Sequence, residues 1–117
     1  MGFTATRLER LLTIFGSPVA PVVNVTVDGL TLRDSAYTYM APHGLPSGGD
    51  WGLQREGAVS LNGTVGVAIR RCLFEDLDGN AVYIGGRHRR LVLEHNEFVR
   101  VGDSAIAAWG DTCAPDD

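Results

Sequence analysis

Two aspartates of this chain could carry out acid–base chemistry together. Asp78 lies in the segment DLDGN and Asp103 in the segment VGDSA, which occupy equivalent places in a repeated pattern, one residue out of register. If equivalent residues stack about 4.8 Å apart, the two carboxyl groups lie about 5–7 Å apart. At such a distance one group can donate a proton while the other acts as a base or a nucleophile. The alternative is that both aspartates only form the hydrogen bonds of turns.

A second set of candidates lies in a long insertion, at about residues 36–56, that interrupts the repeats. Long loops on a regular scaffold often carry function. Two carboxylates of the insertion, Asp50 and Glu56, are candidate catalytic partners of Asp78. Three further residues are candidates for substrate binding: Arg55 for a carboxylate or sulfate, His43 for a proton shuttle, and Trp51 for a flat apolar platform.

The loop residues also have structural interpretations. Arg55 and Glu56 could form a surface ion pair, which is worth little energetically. A single histidine in a loop is more often solvated than functional. Trp51 could anchor the insertion to the strands instead of contacting a ligand.

A repeat of 23–24 residues sets the positions of these side chains. Rows 57–80 and 80–104 align Val59 with Val82 and Phe74 with Phe98, and LLTIFG and VTVDGLTL form an earlier row. Apolar residues two apart indicate strands, and the joins are too short for a helix, since only Arg71 separates the second run from the third. The pattern predicts an all-β fold, a parallel β-helix or solenoid of about three to four coils.

This register also predicts which side chains point outward and which hold the corners. Three outward or corner residues of the first sheet are candidate sugar contacts: Asn80, Tyr83 and Trp109. Gly29 aligns with Arg71 and His95 at a corner that needs an unusual backbone conformation. The inward Asn96 should hydrogen-bond to backbone.

Length and charge limit the remaining possibilities. One domain is expected over residues 1–117, and we expect it to be part of a longer β-helix whose flanking coils are missing, because neither end resembles a cap. The net charge of −4 argues against nucleic acid, and no run is long enough to cross a membrane. We recognise no signal peptide, and the basic run 87–90 is interpreted as a solvated corner.

The segments GSPVAPVVNVTVDGLTLRD, PSGGDW, GAVSLNGTVGVAIRRCLFEDLDGNAVYIGG and NEFVRVGDSAIAAWG resemble right-handed parallel β-helix proteins of the pectin-lyase-like group. Within this group the chain is similar to the bacterial and algal glycosidases that attack fucose- or xylose-containing polysaccharides. The resemblance implies an extracellular or cell-surface protein with a polysaccharide substrate. We expect no cofactor and no metal site, since the sequence contains no convincing calcium cluster of the pectate-lyase kind.

The resemblance implies glycoside hydrolysis by paired carboxylates above the first sheet, in a full-length protein rather than in this chain alone. A polysaccharide lyase is the enzymatic alternative, although it needs an arginine or lysine base and usually calcium, and no calcium-binding cluster is evident. A carbohydrate-binding or surface β-helix without catalysis is the other alternative.

Overall fold

A computed structural model describes residues 2–42 and 54–110 of the 117-residue chain. The described residues form eleven strands and no helix, which confirms the prediction of an all-β chain. The strands are β1 (Leu12–Phe15), β2 (Val22–Val23), β3 (Thr26–Asp28), β4 (Thr31–Arg33), β5 (Val59–Val65), β6 (Ala68–Arg70), β7 (Leu73–Leu77), β8 (Val82–Arg89), β9 (Val92–Glu94), β10 (Glu97–Val101) and β11 (Ile106–Trp109).

The strands form three parallel sheets that the chain visits in turn. The first sheet has the order β1-β5-β8-β11 with β2 beside β5, the second β3-β6-β9, and the third β4-β7-β10. All the pairings in these sheets are parallel. Each passage through the three sheets therefore adds one layer, an arrangement compatible with a parallel β-helix.

The register between layers is the one that the repeats predict. Val59 pairs with Val82, and Val82 with Ile106, while Phe74 pairs with Phe98. The change from a 23- to a 24-residue offset occurs at a bulge, where the register shifts between Asn62 and Thr64. One extra residue on β8 opposes this point, so the irregular spacing in the sequence has a local structural cause.

The core is a set of inward side chains that stack from layer to layer. Phe74 is fully buried, and its ring stacks on that of Phe98 at 4.9 Å between centroids and 12° between planes. Inward residues of the outermost layers are less covered, as Leu30 and Ile106 show with exposures of 49% and 46%. Packing is therefore tightest in the middle layer, which contributes most of the fully buried residues: Leu61, Ile69, Leu77, Val59, Val67 and Cys72.

Residues at the same corner of successive layers share a left-handed backbone conformation. Each such set of stacked residues forms a column. Gly29, Arg71 and His95 have φ angles of 69°, 51° and 55°, which confirms the unusual conformation predicted for that corner. A second column contains Asp34, Asp76 and Arg100. Non-glycine residues pay about 1–3 kcal/mol for such backbone angles, so the layers on either side must hold each corner in place.

Asn96 performs the structural role predicted for it. Its side-chain oxygen accepts a hydrogen bond from the backbone N–H of Cys72 at 3.0 Å. Its side-chain nitrogen donates to the carbonyl oxygen of Ile69 at 2.9 Å. The amide thus satisfies two backbone groups of the layer before it, at the corner between the second and third sheets.

The basic run at 87–90 is not simply a corner. Strand β8 continues to Arg89, and only Arg90, with a φ of 53°, adopts a corner conformation. In this continuation His88 and Arg89 pair with Thr64 and Val65 of β5. The Nε2 of His88 lies 2.8 Å from the carbonyl oxygen of Gly85, and its Nδ1 lies 2.7 Å from the hydroxyl of Thr64. Since only a protonated Nε2 can donate to a carbonyl, Nδ1 of the neutral ring accepts from Thr64.

A network of charges crosses three layers on the outside of the third sheet. The carboxylate of Asp76 accepts hydrogen bonds from Arg100, at 3.0 Å for the Nη2 contact, and from Arg33 at 3.4 Å. Arg33 also contacts Asp34 and Glu75. The hydrogen bonds from Arg100 lower the pKa of Asp76 below its ordinary value, and the same contact raises the pKa of Arg100.

We expect Phe74→Ala to lower the free energy of unfolding by about 3–5 kcal/mol, because it empties a fully buried site. Phe98→Ala is the matched comparison and should cost less, since Phe98 lies nearer the edge of the stack and is only partly buried. Urea unfolding followed by circular dichroism measures both losses. Equal losses, or a larger loss for Phe98→Ala, would contradict the packing described above.

Asp76→Asn should destabilise the fold near neutral pH and lose that effect in acid. Because the folded-state pKa of Asp76 is lowered, its ionised form stabilises the fold above the ordinary aspartate pKa of about 3.9. This contribution disappears as the pH falls through the lower folded-state pKa. Asparagine tolerates a left-handed φ, so the substitution removes charge without straining the corner.

The measurement for this variant is urea unfolding of both proteins at about pH 6 and about pH 2.5. The difference in unfolding free energy should be present at the higher pH and clearly smaller at the lower one. Salt at about 1 M should also reduce it, because the charges are partly exposed. A difference that is the same at both pH values would show that the arginine contacts do not stabilise the fold.

Candidate functional site

Asp78 and Asp103 lie at one corner, in successive layers, and both are exposed. The backbone N–H of Asp103 donates to the carbonyl oxygen of Gly79 at 3.2 Å, and that of Gly102 donates to Leu77 at 2.7 Å. Since Leu77 pairs with Val101, Asp78 is level with Gly102, which gives the one-residue offset between the aspartates that the sequence indicates. The corner therefore presents two carboxyl groups on adjacent layers.

The insertion begins at the same corner. The N–H of Thr38 donates to the carbonyl oxygen of Asp78 at 3.3 Å. Thr38 is buried, and its hydroxyl oxygen lies 2.6 Å from where a Cβ atom on Gly79 would be. Thr38, Asp78 and Asp103 thus mark one corner in three consecutive layers. The absence of a side chain at Gly79 leaves room for the hydroxyl of Thr38.

Glu56 is held by an arginine from the start of the chain. Both its carboxylate oxygens accept hydrogen bonds from Arg10, and this interaction raises the pKa of Arg10. The guanidinium of Arg10 also lies 5.7 Å from the centroid of the Phe15 ring. The sequence interpretation of a pair between Arg55 and Glu56 is therefore wrong about the partner, and Arg55 is exposed.

Asn80, a predicted substrate contact, is instead a buried connector. Its side-chain nitrogen donates to the carbonyl oxygens of Glu56 at 2.9 Å and Gln54 at 3.4 Å. Its side-chain oxygen accepts from the N–H of Ser104 at 3.1 Å. With 2% exposure, this amide joins the end of the insertion to two layers and has no surface to offer a ligand.

Tyr83, an outward-facing residue of the first sheet and a candidate sugar contact, is only 7% exposed. Gly57 lies against the backbone of Tyr83, because a Cβ atom on Gly57 would be 2.8 Å from the backbone nitrogen of Tyr83. The ring lies along the strand over Gly85, where a Cβ atom would be 2.8 Å from Cε1. Tyr83 therefore points outward, as the register predicts, but the chain at Gly57 covers it. The absence of a side chain at Gly85 leaves room for the ring.

The remaining candidate site residues are one on the last strand and three in the insertion. Trp109 is half-buried at the end of β11, where it pairs with Gly85. His43, Asp50 and Trp51 lie outside the described residues, so their proposed roles stay predictions. Among the described residues, no group of three or more His, Cys, Asp or Glu side chains could hold a metal ion.

Comparison with known proteins identifies no relative of this chain. No family model matches it, and neither a curated protein nor a solved structure is significantly similar. Residues 2–42 and 54–110 also contain no helix with the length and apolar character that a membrane span needs. The geometry of the corner is therefore the basis for any functional proposal.

Two exposed tyrosines at this corner were not among the predicted site residues. Tyr37 and Tyr39 flank the buried Thr38, and their ring centroids are 5.5 Å apart. The sequence signal is the alternation of aromatic and small polar residues in YTY at the start of the insertion. Alternation of this kind indicates one face against the protein and the other in solvent.

We expect Asn80→Ala to reduce the free energy of unfolding by about 1–3 kcal/mol, because it leaves buried backbone groups without partners. The control is Asn62→Ala, which removes an exposed amide from the same sheet. Chemical denaturation of the two variants gives the comparison. A stable Asn80→Ala protein that had lost only ligand binding would restore Asn80 to the list of ligand contacts.

Proposed function

We propose that this chain forms coils of a right-handed parallel β-helix of the pectin-lyase-like group, and that the full-length protein to which these coils belong hydrolyses glycosidic bonds in a polysaccharide. The fold proposal is supported by the three parallel sheets and by the short connections between them, such as residues 71–72 between β6 and β7. Right-handed crossovers are the rule for parallel strands. An extracellular or cell-surface location follows from the same resemblance and is part of the proposal.

One observation carries the proposed activity: Asp78 and Asp103 are exposed carboxylates on adjacent layers of a single corner. The layer spacing and the one-residue offset give a separation of about 5–7 Å between the carboxyl groups. Retaining glycosidases have about 5–5.5 Å between their two carboxyl groups, and inverting ones about 6.5–9.5 Å. Both mechanisms fit this range.

In either mechanism the two carboxyl groups have opposite tasks. One, protonated, gives its proton to the glycosidic oxygen as the bond to the anomeric carbon breaks. The other, ionised, attacks that carbon or removes a proton from the attacking water. Glu56 is less suited to either task, because Arg10 already binds both its oxygens.

Carbohydrate binding without catalysis is the second candidate. The exposed pair Tyr37 and Tyr39 supports it, because an aromatic surface can bind sugar rings without any catalytic group. It also requires no difference between the environments of the two aspartates, both of which are open to solvent. The two candidates share a polysaccharide partner and differ in whether Asp78 and Asp103 have a chemical task.

The test measures the turnover of Asp78→Asn and Asp103→Asn on xylose- and fucose-containing polysaccharides. Each variant should lose about 10²–10⁴-fold in kcat with little change in KM, as expected for a lost acid or base. Glu97→Gln is the control, since it removes an exposed carboxylate from β10, away from the corner. The assay uses the longest natural protein that carries this sequence, and release of reducing ends reports cleavage.

The products distinguish the alternatives. Sugars with unsaturated ends would indicate a lyase instead of a hydrolase. Near-normal turnover in both aspartate variants would show that Asp78 and Asp103 only form the hydrogen bonds of turns. Asp50 and Glu56 would then be the candidate catalytic residues. Binding without any cleavage would support the second candidate.

A further inference from the structure

Tyr37 and Tyr39 form a small aromatic surface that the fold itself does not use. Their exposures are 53% and 54%, so about half of each side chain is in contact with solvent. The rings are 5.5 Å apart between centroids and tilted by 41°, which makes two adjacent faces. Neither residue belongs to the buried core.

The backbone beneath the two rings is anchored. Ser35 and Thr38 are each only 2% exposed. The N–H of Ala36 donates to the carbonyl oxygen of Leu8 at 2.8 Å, and the N–H of Thr38 donates to that of Asp78. The N–H of Ala41 then returns to the carbonyl oxygen of Thr38 at 2.9 Å and closes a turn. A loop fixed in this way presents its exposed side chains in a defined arrangement, at a lower entropic cost on binding.

The rings lie at the corner that holds the two candidate catalytic residues. Thr38, between the tyrosines, occupies the layer next to that of Asp78, and Asp103 occupies the layer beyond. Two layer spacings correspond to about 10 Å. An extended ligand of two sugar units that lies across the layers could therefore contact the tyrosines and reach both carboxylates.

The charges at this corner select among sugars. The corner itself contributes the exposed carboxylates Asp78 and Asp103. The outside of the neighbouring third sheet adds the carboxylates Asp34, Glu75 and Asp76 together with Arg33 and Arg100. Both arginines are already engaged by these carboxylates. A uronate or a sulfated sugar would bring further negative charge to this surface, whereas the hydroxyls of a neutral sugar can donate to the exposed carboxylates.

From these observations we infer that Tyr37 and Tyr39 form the platform on which a neutral sugar unit of the polysaccharide stacks, with its neighbouring unit directed toward Asp78 and Asp103. This inference rests on the proposed polysaccharide ligand, but not on hydrolysis. The C–H face of the sugar ring covers the aromatic rings and its hydroxyls bond to the carboxylates.

The test measures the affinity of the protein for soluble neutral xylan and for polygalacturonate by isothermal titration calorimetry. The double variant Tyr37→Ala/Tyr39→Ala should bind xylan about tenfold more weakly or worse. Tyr37→Phe/Tyr39→Phe keeps both rings and should retain most of the affinity. Phe3→Ala, which removes an exposed aromatic residue remote from this loop in sequence, is the control and should bind normally.

Circular dichroism of each variant shows whether it is folded, and the phenylalanine double variant keeps the test valid if the alanine one unfolds. Unchanged binding by the folded alanine variant would overturn the inference. So would failure of the unmodified protein to bind xylan, or a preference for polygalacturonate. If binding depends on the tyrosines while Asp78→Asn and Asp103→Asn keep normal turnover, the platform stands and the proposed hydrolytic roles of these aspartates fail.

Discussion

The in-register parallel pairing of each layer with the next is the constraint on which this structure depends. It places Phe74 on Phe98 in the core and aligns corners that each need a left-handed residue, such as Asp76 and Arg100. A left-handed residue is costly in any one layer, so the hydrogen bonds on both sides of the corner must offset that cost. The same pairing brings opposite charges together on the outside, and Asp76 contacts arginines of the layers on both sides.

Repetition explains why so much of the fold could be predicted from one sequence. Each inward position occurs in several layers, so Val59, Val82 and Ile106 all report on the same site. Even the change in spacing from 23 to 24 residues had a physical cause that the structure locates at a bulge. The structural role of Asn96 was predictable for the same reason, because a polar residue in an apolar column must satisfy backbone groups.

The candidate site was less predictable, because alternation indicates which face a side chain points to and not what covers that face. Tyr83 points outward, yet the chain at Gly57 returns over it. Glu56 pairs with Arg10, a residue 46 positions away that no local pattern could connect to it. Asn80 looked like an exposed corner residue, but it joins the end of the insertion to the layers. These contacts all arise where the insertion, which has no repeat, meets the repeated layers.

The corner at Asp78 differs from an ordinary surface loop because three layers define it. Thr38 lies on one side of Asp78 and Asp103 on the other, and Asp76, only two residues before Asp78, is held by two arginines. A sugar stacked on the tyrosines of the first of these layers would remove water from around Asp78, in the adjacent layer, more completely than from around Asp103, one layer further away. Acid–base catalysis needs two carboxyl groups in unequal environments, whereas binding does not. A ligand placed in this way would itself create that inequality. A corner whose two aspartates are both exposed in the free protein is therefore compatible with hydrolysis once substrate is bound.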